Sequence, residues 1–215
     1  YIVQQISDDA FAGNTAIERI TFPATIEQTG SGIFSGCTSL TYVAFGGSLT
    51  SIENSTFRDC TALTEFTVPA GITSIGSYAF DGCTGLREIS FPDTLTEIDH
   101  YAFSGCTGLE SIDLPDSVTV ISGYAFRGCE NLASVKLPLS WQNVSTGSYS
   151  DRSPFYDCES LTEITIPDGM TRLPDYAFYN CASLKKIHFP ESLAEIGAFA
   201  FSRCTGLEEV SFSEG

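Results

Sequence analysis

The chain repeats itself every 23 residues. Cysteine stands at 37, 60, 83, 106, 129, 158, 181 and 204, so every gap is 23 except the one from 129 to 158, which is 29. A Phe lies three residues before each Cys, from Phe34 to Phe201, and a Leu three after, from Leu40 to Leu207. Six after each Cys comes Val43, Phe66, Ile89, Ile112, Val135, Ile164, Ile187 or Val210, and eight after comes another large apolar residue. A Pro follows in most units, as at Pro69, Pro92 and Pro115, and further apolar residues stand at twelve and fifteen, such as Leu95 and Ile98. One more unit leads the series (Phe11, Ile17, Ile20, Phe22, Pro23, Ile26), with Asn14 in the cysteine's place. A unit this short cannot bury its apolar face alone, so neighbours must stack on it, and a fixed period of this length means a repeat architecture.

The pattern within a unit gives the path of the coil. Apolar residues at six and eight alternate as in a short strand with one face buried. The Pro that follows ends the strand, because it has no N–H for a ladder. "PD" and "PE" pairs then open a turn. The rest is too short for a long helix and is expected to return along the back in short extended or 3₁₀ pieces. Nine coils at the spacing of parallel strands make a rod of roughly 40 Å, and a right-handed path is expected. The whole of 1–215 is one domain on this reading.

Composition narrows the partners. The net charge is -17, with only ten Lys and Arg, which argues against nucleic acid, because phosphate binding needs cations. No apolar run reaches the 18 residues of a membrane span. The only Met is Met170, so the chain is expected to be a trimmed piece of a longer protein.

The unit "CTGLREISFPDTLTEIDHYAF" at 83–103 resembles the BspA-like leucine-rich repeat, also described as the Treponema pallidum type, and the resemblance runs over essentially the whole chain. It implies a leucine-rich-repeat solenoid, mainly β with short 3₁₀ and turn segments, on a surface or secreted protein of a host-associated bacterium. It further implies an extracellular, non-enzymatic adhesion module whose partners are host or neighbouring-cell proteins of the extracellular-matrix type. No cap, secretion signal or anchor of that family is recognisable in these residues.

Three readings of the cysteine column compete. A metal site needs ligands converging from several directions, whereas a column offers neighbours only above and below. A disulfide framework suits an even count in an extracellular protein, but Cβ atoms one coil apart stay near 4.8 Å, against about 3.8 Å in a disulfide. The remaining reading is a small buried residue whose weakly polar sulfur faces backbone amides at a tight corner. Asn14 fits it, since an amide can serve the same corner.

Function is expected where the repetition fails. The outward strand positions, five and seven after each Cys, do not repeat. Their first half is acidic, at Glu65, Glu88 and Asp113, and all three lysines, Lys136, Lys185 and Lys186, lie on or beside the second half near His188. A concave strand face carrying these groups is a candidate protein-binding strip; the plain alternative is a solvated surface. The six extra residues fall in "STGSYSDRSP", 145–154, because Trp141 and Val144 still occupy the apolar columns. This segment brings Tyr149 and Arg152, residue types enriched at binding hot spots. Trp141 itself is read as core.

Catalysis finds no support, since His100 and His188 are several coils apart and no nucleophile–base set converges by spacing. No cofactor or metal is expected: Asp93 and Asp116 could stack around calcium, but Leu139 breaks their column and a turn role suits them better. The second functional reading is a spacer that displays a catalytic or carbohydrate-binding domain elsewhere in a longer chain. The protein is expected to be a monomer or to associate weakly end to end.

Overall fold

The computed structural model describes residues 3–46, 48–143 and 153–213. They form a β-solenoid of nine coils whose short parallel strands lie in a front ladder of nine and a back ladder of eight, paired as six sheets. The front ladder holds the strands that precede the prolines: β2 (Arg19–Thr21), β4 (Tyr42–Ala44), β6 (Glu65–Thr67), β8 (Glu88–Ser90), β10 (Ser111–Asp113), β12 (Ser134–Lys136), β13 (Glu163–Thr165), β15 (Lys186–Phe189) and β17 (Glu209–Phe212). The back ladder is made of two-residue strands at the column fifteen after the cysteine: β1 (Gln5–Ile6), β3 (Gln28–Thr29), β5 (Ser51–Ile52), β7 (Ser74–Ile75), β9 (Glu97–Ile98), β11 (Val120–Ile121), β14 (Arg172–Leu173) and β16 (Glu195–Ile196). Register steps by one repeat, as in Ile112 beside Val135 and Ile75 beside Ile98. The 3₁₀ content expected on the return path is confined, among the described residues, to Leu139–Asn143 in the irregular coil.

The core is a set of columns. The Phe three before each Cys is buried from Phe34 to Phe178. These rings stack on one another from Phe11 to Phe201 with centroids 5.0 to 5.9 Å apart and near-parallel planes, within the favourable range for offset aromatic pairs. Trp141 is 2% exposed and stands edge-on between Phe155 and Phe178. It fills the space beside the enlarged coil, as its column position requires.

The corner that carries the cysteine is built from backbone bonds between coils. The Tyr78, Phe80 and Gly82 amides donate to the carbonyls of His100, Ala102 and Ser104 at 3.0, 2.7 and 2.8 Å. The turn demands a left-handed residue five before the cysteine, and Tyr78, Tyr101, Tyr124, Tyr176 and Phe199 take it with φ between 57 and 63°. A bulky residue there costs about 1–2 kcal/mol. Gly85, two residues after its Cys, is needed for a different reason: a Cβ would run into the Thr61 carbonyl oxygen of the coil before.

All eight cysteines are free thiols, buried except for Cys204, which is partly exposed. Each sulfur donates to the Phe carbonyl of the preceding coil, as Cys83 does to Phe57 at 3.0 Å and Cys106 to Phe80 at 3.1 Å. This corrects one detail of the expectation: the sulfur meets a carbonyl rather than amides. The amides are already spent on the coil above, so the acceptor left at the corner is the Phe oxygen. Asn14 works in the opposite sense, its Oδ1 accepting the Ala16 and Ile17 amides at 2.9 and 3.1 Å. Asp116 accepts the Leu139 amide at 3.2 Å, in keeping with its turn role.

Candidate binding face

The front ladder presents the outward side chains on a surface whose backbone scarcely changes from coil to coil. Along β6, β8, β10, β12 and β13 the burial alternates exposed, buried, exposed, so residues five and seven after the cysteine face solvent and the one between enters the core. A shallow depression over β4, β6 and β8 is lined by Tyr42, Glu65, Phe66, Glu88 and Ser90. A second over β13, β15 and β17 is lined by Glu163, Lys186, His188, Glu209 and Ser211.

The charges fall into three groups. Glu65 lies directly beside Glu88 in the β6–β8 register, and neither carboxylate has a cationic partner among the described residues. Like charges opposed in this way repel and draw in a counter-charge. Asp113 does not extend that acidic group as the sequence suggested: its Oδ1 is 2.9 Å from the Lys136 Nζ on the next strand. The pair stitches the two halves of the face together, and the hydrogen bond that the Lys136 ammonium donates to Asp113 raises its pKa above the ordinary lysine value. Lys186 is tied in the same way to Glu209 at 3.0 Å and is also raised, chiefly by that hydrogen bond. His188 is bracketed by hydroxyls, Nδ1 at 2.9 Å from Ser211 Oγ and Nε2 at 3.0 Å from Ser213 Oγ. Lys185 sits one residue outside β15, exposed, its backbone joining Thr162 to Glu208. The face therefore carries an anionic patch at Glu65 and Glu88, the Asp113–Lys136 pair at its middle, and a patch of mixed charge around Lys186, Glu209 and His188.

Tyr149 and Arg152 lie outside the described residues. His100 stands at a corner with Nδ1 2.7 Å from Asp99 Oδ1, away from the front ladder. No group of His, Cys, Asp and Glu able to hold a metal ion occurs among the described residues.

Two features escaped the reading of the sequence. The Arg19 guanidinium lies 4.2 Å over the ring of Tyr42, which is 41% exposed at the edge of the first depression; the pair follows from their shared column in adjacent coils. The tyrosines of the left-handed corner also stack into a surface row, Tyr78 on Tyr101 at 4.9 Å and Tyr101 on Tyr124 at 5.1 Å, with Phe199 on Tyr176 at 5.0 Å farther along. The recurring "YAF" was the available signal.

Among solved structures, the chain is 29% identical to a leucine rich cell surface protein from Faecalibacterium prausnitzii, over 98% of this chain and 63% of that one, with a TM-score of 0.53. A leucine-rich repeat protein from Bacteroides ovatus is 26% identical over 96% of this chain and 70% of that one, with a TM-score of 0.52. The pneumococcal vaccine antigen PcpA is 27% identical over 97% of this chain and 56% of that one, with a TM-score of 0.65. The chain thus spans less than two thirds of the first and last of these. No curated protein sequence matches it. The profile of the BspA type leucine rich repeat region (6 copies) matches residues 2–107, 50–154 and 151–215. With the repeat covered from end to end, the chain belongs to the BspA type leucine rich repeat family.

Proposed function

We propose that the chain is a non-catalytic protein-binding module of a bacterial cell-surface or secreted protein. It engages a host or neighbouring-cell protein through the front ladder and the 145–154 segment. The observation that carries this reading is the contrast between columns. Inward positions repeat coil after coil, while Tyr42, Glu65, Glu88, Lys136, Lys186 and His188 give the exposed face a sequence of its own. A scaffold that needed only to stack would place no demand for such variety on one face. Support also comes from the likeness to a protein described as a cell surface protein and to one described as a vaccine antigen. Buried thiols suit an oxidising exterior, because oxidants and partner thiols cannot reach them.

The test is a binding screen of the purified chain against matrix glycoproteins and surface proteins of co-resident cells. Each hit is repeated with Glu65→Ala/Glu88→Ala, with Lys136→Ala/Lys186→Ala and with a back-ladder control, Glu97→Ala. Loss of binding in a front-ladder variant but not in the control is expected. Equal binding by all three rules out the front ladder. The spacer reading, favoured by the partial span of the larger neighbours, is supported if no partner is captured and the intact protein binds through another domain.

A further inference from the structure

We propose, resting on the front-face reading above, that the depression over β4, β6 and β8 receives an arginine side chain from a basic segment of the partner protein. The front ladder lapses here. Strands β6 and β8 form a two-stranded sheet of their own, paired with neither β4 on one side nor β10 on the other among the described residues. Behind them the same coils are joined without interruption. Strand β5 pairs with β7 and β7 with β9, and at the corner the Phe34 and Gly36 amides donate to the Thr56 and Arg58 carbonyls at 2.9 and 2.7 Å. The gap between β4 and β6 is therefore confined to the front. At the closed step from β6 to β8, the Arg87 amide donates to the Thr64 carbonyl at 2.8 Å and the Val68 amide to the Ser90 carbonyl at 3.0 Å. One coil earlier the counterparts, Thr64 to Thr41 and Phe45 to Thr67, are not made among the described residues. Thr41, Phe45 and Thr67 all line the depression, so backbone groups there are open to hydrogen bonds from a guest.

The side chains around the gap suit a guanidinium. The depression has a volume of about 420 Å³, room for one long side chain. Its floor is apolar, with Val43, Ala44 and Phe45 half-buried and Phe66 beneath, a surface on which the methylene stem of a long cationic side chain can lie. Glu65 and Glu88 stand side by side in register at its far wall, where the N–H edges of one guanidinium can bridge two carboxylates. The same column shows the filled version farther along: Lys186 stands in register between Glu163 and Glu209 and bonds Glu209 at 3.0 Å. Glu65 and Glu88 supply the carboxylates of that arrangement without a cation among the described residues. Tyr42 favours arginine over lysine. Arg19 covers its ring at 4.2 Å from the coil before, and the depression lies on the side of the coil after. A second planar guanidinium can stack there as the first does, which an ammonium cannot. The net charge of -17 draws a basic partner toward the face at long range.

The test is a titration of the isotope-labelled chain with the blocked tripeptide acetyl-Ser-Arg-Ser-amide, followed by NMR amide shifts at about 0.15 M salt, where distant charges are screened. Saturable shifts are expected at the amides of Phe45, Glu65, Thr67 and Glu88. The citrulline tripeptide, of the same shape without the charge, should bind at least about tenfold more weakly, and so should the arginine tripeptide to Glu65→Gln/Glu88→Gln. Glu97→Gln/Glu130→Gln removes the same charge from two other exposed positions and should change binding by less than about twofold. The lysine tripeptide should bind more weakly than the arginine one, and Tyr42→Leu should erase that difference. Absence of saturable shifts at those amides, equal binding of citrulline, or equal loss in the two charge variants overturns the proposal, and equal binding of lysine overturns the assignment to arginine. The probe needs no natural partner, so its failure removes the arginine pocket while the binding screen still decides whether the front ladder is the contact face.

Discussion

Cys106 shows how a residue that invites a chemical reading becomes structural. It is wholly buried, its thiol donates to the Phe80 carbonyl, and burial holds its pKa well above the ordinary value of 9.0. Cys60 and Cys158 are pushed up to about 12 by the same desolvation. The unfolded chain releases these protons near pH 9 while the native one keeps them, so the native state binds more protons in between. Stability is therefore complete below pH 9 and falls as pH rises from there toward 12, by about 1.4 kcal/mol per pH unit for each fully buried thiol. Urea midpoints measured from pH 8 upward check this, and a flat profile contradicts it. Thiol labelling of the native protein should reach Cys204 first and the other seven only on unfolding. A second prediction concerns Tyr101, held at φ 57° between Tyr78 and Tyr124. Tyr101→Ala loses both ring contacts and keeps the left-handed strain, while Tyr101→Gly loses the contacts and relieves the strain. The Gly variant should be the more stable of the two by about 1 kcal/mol, read from chemical denaturation.

At the scale of the element, strands of two or three residues have no independent stability, and their worth lies in what covers them. Trp141 is the clearest case. The back ladder is interrupted between β11 and β14, and the 3₁₀ turn Leu139–Asn143 occupies the interval with Trp141 filling the core. Trp141→Ala should cost about 3–5 kcal/mol, measurable as a lowered urea midpoint, far more than any change on the exposed front ladder. Lys136→Ala, by contrast, breaks a solvent-exposed pair with Asp113 and should change stability by less than about 1 kcal/mol. If that substitution abolishes binding without moving the midpoint, the residue belongs to the contact surface and not to the scaffold.

Over the whole molecule, each coil touches only its neighbours, so stability is a chain of nearest-neighbour terms. Hydrogen exchange should show the strongest protection where the back ladder runs unbroken from β5 to β11, around β7 and β9, and the weakest at the two end coils. The interval between β11 and β14 should form a local minimum. Uniform protection from end to end contradicts this. The architecture was legible in the residues because stacking identical units forces identical environments: a Phe, a Cys and a Leu recurring at fixed offsets can satisfy one another only as columns. The outward positions could be enumerated from the same offsets. What the offsets could not give is how neighbours on the face resolve their charges. Asp113 reads as part of an acidic strip, yet it reaches Lys136, while Glu65 and Glu88 are left facing each other. The same holds for the direction of the thiol bond, which runs from Cys106 Sγ to the Phe80 carbonyl. Sequence alone determined the period, the columns and the fold, since burial of repeated apolar positions admits one arrangement. Only the tertiary structure decided which exposed charges pair and which group the thiols meet, because those depend on distances across coils.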